Sequence, residues 1–319
     1  MELEFLGTGA GQPSRQRNVS SIALRLLNEQ NQVWLFDVGE ATQHQLLKSN
    51  IRSRKITKIF ITHMHGDHIF GLPGFLASRN FQASDVVNNG KPSDLDIYGP
   101  RAIRPFVMCF LKNAQIHLDY HINFFHAHPG LIYRNRFFAV RAFKMNHGIE
   151  DYAYRVVEKN TAGRLQVNKL LKLGLKPGPL FGKLKSGQTV RLNNGDLING
   201  KDFLGPAEPG RIVTIVMDTK ETPEIVKAAK NADVLVHEAT YDGNNQLMAR
   251  NHNHSTCIEA AHHATDANAR KLILTHISAR YVGREAKLLV KQARRIFPNT
   301  KIAKDMEVFN IPSKKGQLN

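Results

Sequence analysis

Short runs of apolar, β-branched and aromatic residues separated by polar stretches dominate the hydropathy pattern. They are "LEFLG" near the start, "VWLFDVG" (33–39), "KIFIT" (58–62), "RFFAVRAFKM" (136–145), "RIVTIVM" (211–217), "DVLVH" (233–237) and "KLILT" (271–275). Their length and composition predict largely buried strands. Between the later runs the period changes to that of helices, with start signals: Thr222 before Pro223 and Glu224, and a capping-box spacing from Thr256 to Glu259. Strands alternating with helices predict an α/β layered architecture.

The residues at the strand exits are more informative than the strands themselves. "KIFIT" runs into His63, "RFFAVRAFKMN" into His147, "RIVTIVM" into Asp218, "DVLV" into His237 and Glu238, and "KLILT" into His276. Sites in α/β sheets collect at the carboxyl ends of strands, which makes these side chains candidates for one shared site.

One segment breaks the alternation. Residues 155–191 carry nine Lys or Arg against one acid, Glu158, around a centre punctuated by glycine and proline, "GLKPGPLFG". The segment reads as an excursion from the core, a basic surface stretch with two short helices. A second basic feature, Lys287, Lys291, Arg294 and Arg295, falls on one helical face opposite Leu289, Ala293 and Ile296. No internal repeat is apparent, and the tail "SKKGQLN" is expected to fray.

Composition narrows the class. A chain of 319 residues with 42% hydrophobic content can bury a core as one large domain, here residues 1–319, with an insertion. Two cysteines, Cys109 and Cys257, build no disulfide framework and fit a reducing cytoplasm. The acidic, alternating start "MELEFLG" lacks the features of a secretory leader, and no apolar run reaches the ~20 residues of a membrane span. A formal charge of +17 describes a surface that attracts polyanions.

The chemistry concentrates in "THMHGDH", residues 62–68, where three imidazoles and a carboxylate fall within six positions. Imidazole nitrogen and carboxylate oxygen suit a divalent transition metal, and one catalytic zinc usually takes three protein ligands. Four ligand-type residues this close therefore predict two ions. His63, His65 and His147 are assigned to one, Asp67, His68 and His276 to the other, and Asp218 bridges them. Asp37 in "FDVGE" is a candidate to hold a ligand histidine from behind. His254 stands just before the helix opening at 256, where the helix dipole favours a phosphate, and Glu238 is a candidate to orient it. Gly7, Gly9 and Gly11 suit either a phosphate cradle or a tight strand exit. His126 and His128 read as a polar loop, His262 and His263 as an exposed helical pair, and His44 and His117 have no obvious partner.

These residues resemble a family. "THMHGDH" is similar to the His-x-His-x-Asp-His signature of the metallo-β-lactamase superfamily. Eight further stretches, among them "GTGAGQPSRQRNVSS", "KPGPLFGKLK", "VHEATY", "HSTC" and "LTHISARY", resemble the ribonuclease Z family of tRNA 3′-processing endonucleases nearly end to end. The resemblance implies an αββα four-layer sandwich, the same seven ligands, and two zinc ions that manganese or cobalt could replace. It further implies a homodimer and a precursor-tRNA substrate. Residues 155–191 correspond to an arm gripping the tRNA elbow, with Gly178 and Pro179 in its motif and Lys169, Lys172 and Lys176 offered to phosphates. Arg15, Arg17 and Asn18 match a segment near the acceptor end.

The implied reaction is metal-assisted hydrolysis that leaves a tRNA 3′-hydroxyl and a 5′-phosphate on the trailer. Asp67 would orient and deprotonate water, and His254, supported by Glu238, would protonate the departing oxygen. A small-molecule lactonase or thioesterase on the same fold is the rival within enzymes, separable with chromogenic esters. An RNA-binding module with a structural metal site is the rival outside them, and it predicts binding without cutting.

Overall fold

The structure, a computed structural model, describes residues 1–81, 93–192 and 194–314; the end of the tail expected to fray, 315–319, lies outside them. Backbone contacts divide the chain into one unit of residues 1–157 with 212–312 and a second of 158–211 with the tail.

The first unit is built on two seven-stranded sheets. In one, the spatial order is Val308–Asn310, Glu2–Gly7, Ser21–Leu26, Gln32–Phe36, Ile56–Phe60, Leu95–Gly99 and Ile122–His126. Pairing is antiparallel as far as Gln32–Phe36 and parallel beyond it. The other runs Thr300–Ile302, Leu272–Thr275, Val234–Glu238, Ile212–Val216, Tyr152–Glu158, Phe138–Lys144 and Gly130–Arg134, with its first four strands parallel.

Side-chain alternation along each strand separates three cores. Inward residues of both sheets meet in one cluster: Phe5, Trp34, Phe36 and Phe60 from the first against Phe138, Tyr154, Ile215 and Val236 from the second. The outer face of the first sheet, with Leu35, Ile59 and Ile97, packs on helices Thr42–Lys48, Leu72–Arg79 and Ile103–Asn113. The outer face of the second, with Val216, Leu235 and Leu272, packs on Pro223–Ala229, Cys257–Asp266 and Arg284–Arg294. This is the αββα sandwich. Each fully buried aromatic in the central layer contributes roughly 1.5–3 kcal/mol, and the edge-on Trp34–Phe138 pair, centroids 5.5 Å apart, links the sheets.

The capping box forms as the spacing predicts: Thr256 Oγ1 accepts from Glu259 N–H and Thr256 N–H donates to Glu259 Oε2. Thr222 does stand at an N-cap, but its hydroxyl makes no capping bond, so Pro223 alone marks that start. The basic helix buries Leu289 and Ala293 and exposes Lys287, Lys291, Arg294 and Arg295. Helix Cys257–Asp266 corrects one expectation: His262 is exposed but His263 is buried, because it falls on the alanine-rich face turned to the sheet.

The second unit contains helices Val167–Lys172 and Pro179–Lys185, a hairpin of Thr189–Arg191 with Leu197–Asn199, and a core of Leu170, Leu184 and Ile198. It continues past the basic stretch to Arg211, whose guanidinium pairs with Glu158 at 2.7 Å. Lys169, Lys172, Lys176, Gly178 and Pro179 are all exposed.

Candidate metal centre

The centre lies where strand ends of the two sheets approach. Tyr154 Oη donates to Ile61 O at 2.6 Å, and Tyr152 N–H to Thr62 O at 3.1 Å, so the chain leaving Ile56–Phe60 toward His63 is tied to the opposite sheet. His63, His65, His147 and Asp218 form one group of ligand-type atoms, and Asp67, His68, Asp218 and His276 a second. Both groups match the assignment made from spacing.

Distances within the groups test whether they fit metal. Tetrahedral coordination at 2.0–2.1 Å places neighbouring ligand atoms about 3.3–3.4 Å apart. In the first group His65 Nδ1 lies 3.0 Å from His63 Nε2 and 3.1 Å from His147 Nε2, while Asp218 Oδ2 lies 3.6 and 3.5 Å from those two Nε2 atoms. In the second, His276 Nε2 lies 3.3 Å from both His68 Nε2 and Asp67 Oδ2, and Asp218 Oδ1 lies 3.5 and 3.0 Å from the two imidazoles. The two oxygens of Asp218 thus face different groups, as a bridging carboxylate requires. Its Oδ1 is buried without a hydrogen-bond donor of its own.

The imidazoles are turned by partners that fix their protons. His68 donates Nδ1–H to Asp37 Oδ2 at 2.8 Å, and His147 donates Nδ1–H to Asn253 O at 2.8 Å. His276 Nδ1 lies 2.9 Å from Thr240 Oγ1, whose own proton goes to Glu238 Oε2. All three therefore aim an Nε2 lone pair inward. Asp37 also accepts from Thr62 N–H and Oγ1, at 2.7 and 2.9 Å. Asp37 and His276 both hold positive φ, 58° and 54°, a strain tolerated where surrounding bonds over-determine the backbone.

The electrostatics point the same way. Burial opposes the charge of Asp67, but His68 and His276 hold its carboxyl well below the usual range. Burial likewise disfavours a cationic His68, yet Asp218, Asp37 and Asp67 raise its pKa well above the ordinary value. Protein groups alone create a field that favours positive charge here. His63 is held down by burial and then by His68.

His254 joins this centre. Its Nδ1 lies 3.1 Å from Glu238 Oε1 and 3.9 Å from Asp218 Oδ2. Burial works against its cation, but Glu238 and then Asp218 outweigh that and push the imidazole up to about 9. Glu238 is buried and fixed by Thr219 N–H at 2.7 Å.

Several expectations are corrected. His237 does not join the shared site: along a strand it points opposite to Glu238, and its Nε2 meets His263 Nδ1 at 3.1 Å. Arg17 is not presented to RNA. It is buried, its Nη1 donating to Thr8 Oγ1 and Ala303 O, both at 2.6 Å. Asn18 donates to Glu40 O at 2.7 Å, and Arg15 is exposed. His126 ends an edge strand rather than lying in a loop, bonded to Glu150. The glycine run makes a strand exit that serves the centre: Gly11, at φ 71°, donates its N–H to Asp67 Oδ2 at 2.7 Å. Gly39 is needed nearby, since a Cβ there would stand 2.3 Å from Asp67 O.

Sequence reasoning missed Thr240, the Asn253 carbonyl and Asp151. Asp151 is fully buried, 3.8 Å from His63 Nδ1, with neither oxygen hydrogen-bonded. Burial, then Asp218 and Asp37, raises its pKa well above the carboxylate range. Its place four residues after His147 was the one available signal.

Comparison with known proteins agrees with this geometry. Residues 1–93 match the family model of the anti-Pycsar protein Apyc1. The chain is 68% identical to ribonuclease Z of Oenococcus oeni, over 99% of this chain and 98% of that one. It superposes on human tRNase Z, short form, with a TM-score of 0.70 at 30% identity, covering 98% of this chain and 100% of that one. A metallo-β-lactamase fold protein from Bacillus subtilis matches with a TM-score of 0.66 at 18% identity, covering 97% and 99%.

Proposed function

The chain belongs to the ribonuclease Z family, and from that premise we propose that it is a zinc-dependent endoribonuclease that removes the 3′ trailer from precursor tRNA. The products are a tRNA with a 3′-hydroxyl and a trailer with a 5′-phosphate. The observation that carries the reading is the pair of ligand groups sharing Asp218 through its two oxygens.

His63, His65 and His147 would hold one Zn²⁺, Asp67, His68 and His276 the other, with Asp218 between; Mn²⁺ or Co²⁺ suits the same donors. When bound, such ions would supply Lewis acidity, lowering the pKa of water so that hydroxide is available near neutral pH, and neutralising charge on the phosphoryl oxygens. Asp67, its Oδ2 fixed by Gly11 N–H, would orient the attacking water and take up its proton. As the water oxygen bonds to phosphorus, the bond from phosphorus to O3′ breaks and the electron pair leaves on O3′. His254, kept cationic by Glu238 and Asp218, gives that oxygen its proton from Nε2, since Nδ1 is held by Glu238.

Substrate binding is assigned to the basic second unit, which includes residues 158–191 of the arm expected at 155–191, with Lys169, Lys172, Lys176, Gly178 and Pro179; residues 155–157 belong to the core strand Tyr152–Glu158. Arg15 and Asn18 sit beside the acceptor end. We infer a homodimer acting in the cytoplasm. No described helix is long and apolar enough to cross a membrane, and Cys109 and Cys257 are free. Incubating the protein with a precursor tRNA, with and without chelator, and mapping the new 3′ end tests the reading. A metal-dependent cut at the discriminator end is expected; unchanged cutting in chelator overturns it.

A further inference from the structure

A pocket of about 540 Å³, lined by Arg101, His126, Lys144, Gly148, Ile149 and Tyr152, opens next to the loop that carries His147. Its size falls within the range of small-ligand sites, about 300–1,000 Å³. The one carboxylate in the lining, Glu150, is already engaged. Its Oε1 accepts from His126 Nε2 at 2.8 Å and Tyr152 Oη at 3.0 Å, and its Oε2 from Arg101 N–H at 3.2 Å. Arg101 and Lys144 are exposed lining cations, and neither makes an ion pair among the described residues. Ile149, 40% exposed, and the exposed His126 ring add apolar and flat surface to the lining. Cations flanking a flat, partly apolar floor suit an unstacked nucleotide with its phosphates, not a rigid duplex, which cannot enter a pocket.

Position says which strand would occupy it. The glycine-rich loop after Glu2–Gly7 is tied to the Asp67 and His276 half of the centre through Gly11 N–H to Asp67 and Ile277 N–H to Thr8 O. The loop 148–152 is tied to the other half, through Tyr152 N–H to Thr62 O and through Asp151 beside His63. If the acceptor end lies by Arg15 and Asn18, RNA crossing the centre emerges on the His147 side.

We propose that this pocket is a subsite for the trailer, holding a single-stranded nucleotide beyond the first one 3′ of the scissile bond, with Arg101 and Lys144 on its phosphates and Ile149 and His126 against its base. The proposal rests on the tRNA-processing reading above.

The test compares precursor tRNAs carrying one-nucleotide and four-nucleotide trailers, cut by the wild type and by Arg101→Ala/Lys144→Ala. The wild type should favour the longer trailer in kcat/KM by about tenfold, and the double variant should lose that preference. Hydrolysis of a small chromogenic phosphodiester controls for folding and metal loading. In parallel, fluorescence anisotropy with a 5′-phosphorylated tetranucleotide should show weaker binding to the variant. A variant that keeps the length preference, or loses equally on both trailers, overturns the subsite. Failure of the wild type to cut either precursor overturns the functional reading instead, and tetranucleotide binding then still decides the pocket.

Discussion

The catalytic unit and the basic unit are built in opposite ways. Around the metal centre the ligand imidazoles are immobilised by relays of hydrogen bonds: His68 by Asp37, Asp37 by Thr62, His276 by Thr240, Thr240 by Glu238. In the basic unit a core of three buried residues, Leu170, Leu184 and Ile198, supports lysines that point to solvent, among them Lys169, Lys172, Lys176, Lys183 and Lys185. Chemistry needs atoms held to a fraction of an ångström, whereas attraction to a phosphate backbone needs charge and tolerates loose geometry.

The strongest way to break this contrast is Asp67→Ala. Cleavage should fall by about 10³-fold or more while tRNA affinity changes by less than about threefold. Robust turnover would remove Asp67 from the reaction.

The converse change excises the basic unit. A cut between 160 and 185 would strand the hairpin whose Ile198 packs on Leu170 and Leu184. Thr161 and Glu208 exchange two backbone hydrogen bonds of 3.0 Å, so replacing 162–207 with a short glycine-serine linker respects the neck. KM for precursor tRNA should rise by roughly 10–100-fold, with small phosphodiester hydrolysis nearly retained. Equal loss on both substrates would make the unit structural.

A milder perturbation of the catalytic side is Asp37→Asn. Asparagine tolerates the positive φ, but its amide turns a donor toward either Thr62 N–H or His68 Nδ1–H, so the change removes the charge and one acceptor behind His68. Metal affinity by chelator competition should drop about 10–100-fold.

The smallest effect concerns the buried His237–His263 pair. Burial, followed by His263, pushes His237 down to about 3, so the unfolded chain takes up this proton more readily. The pair's contribution is intact above the unfolded value near 6.5 and is lost as pH falls from there toward 3. Urea midpoints from pH 6.5 to 4.5 should decline, and His237→Leu/His263→Leu should flatten that decline by about 1–3 kcal/mol. An unchanged slope would place the acid sensitivity elsewhere.

Local pattern and chemistry were readable from one dimension. "KIFIT" running into "HMHGDH" is a strand feeding a turn crowded with ligands, and capping between Thr256 and Glu259 depends on residues three apart. The strands Ser21–Leu26, Leu95–Gly99 and Ile122–His126 stood out less: the first mixes Ser and Arg into its apolar run, and the others carry Asp and Asn on half-exposed faces. Arg17 looked like an RNA contact because a sequence does not say where an arginine's donors go. Here they go to Thr8 and Ala303.

The chain order determined which ligand types exist and that each comes after a strand, because covalent neighbours and side-chain period are local properties. Only the folded sandwich decided that Asp218 turns one oxygen to each group, that Thr240 relays between His276 and Glu238, and that His237 faces away. Those outcomes depend on which way a side chain leaves a strand and on what segments distant in sequence place across from it.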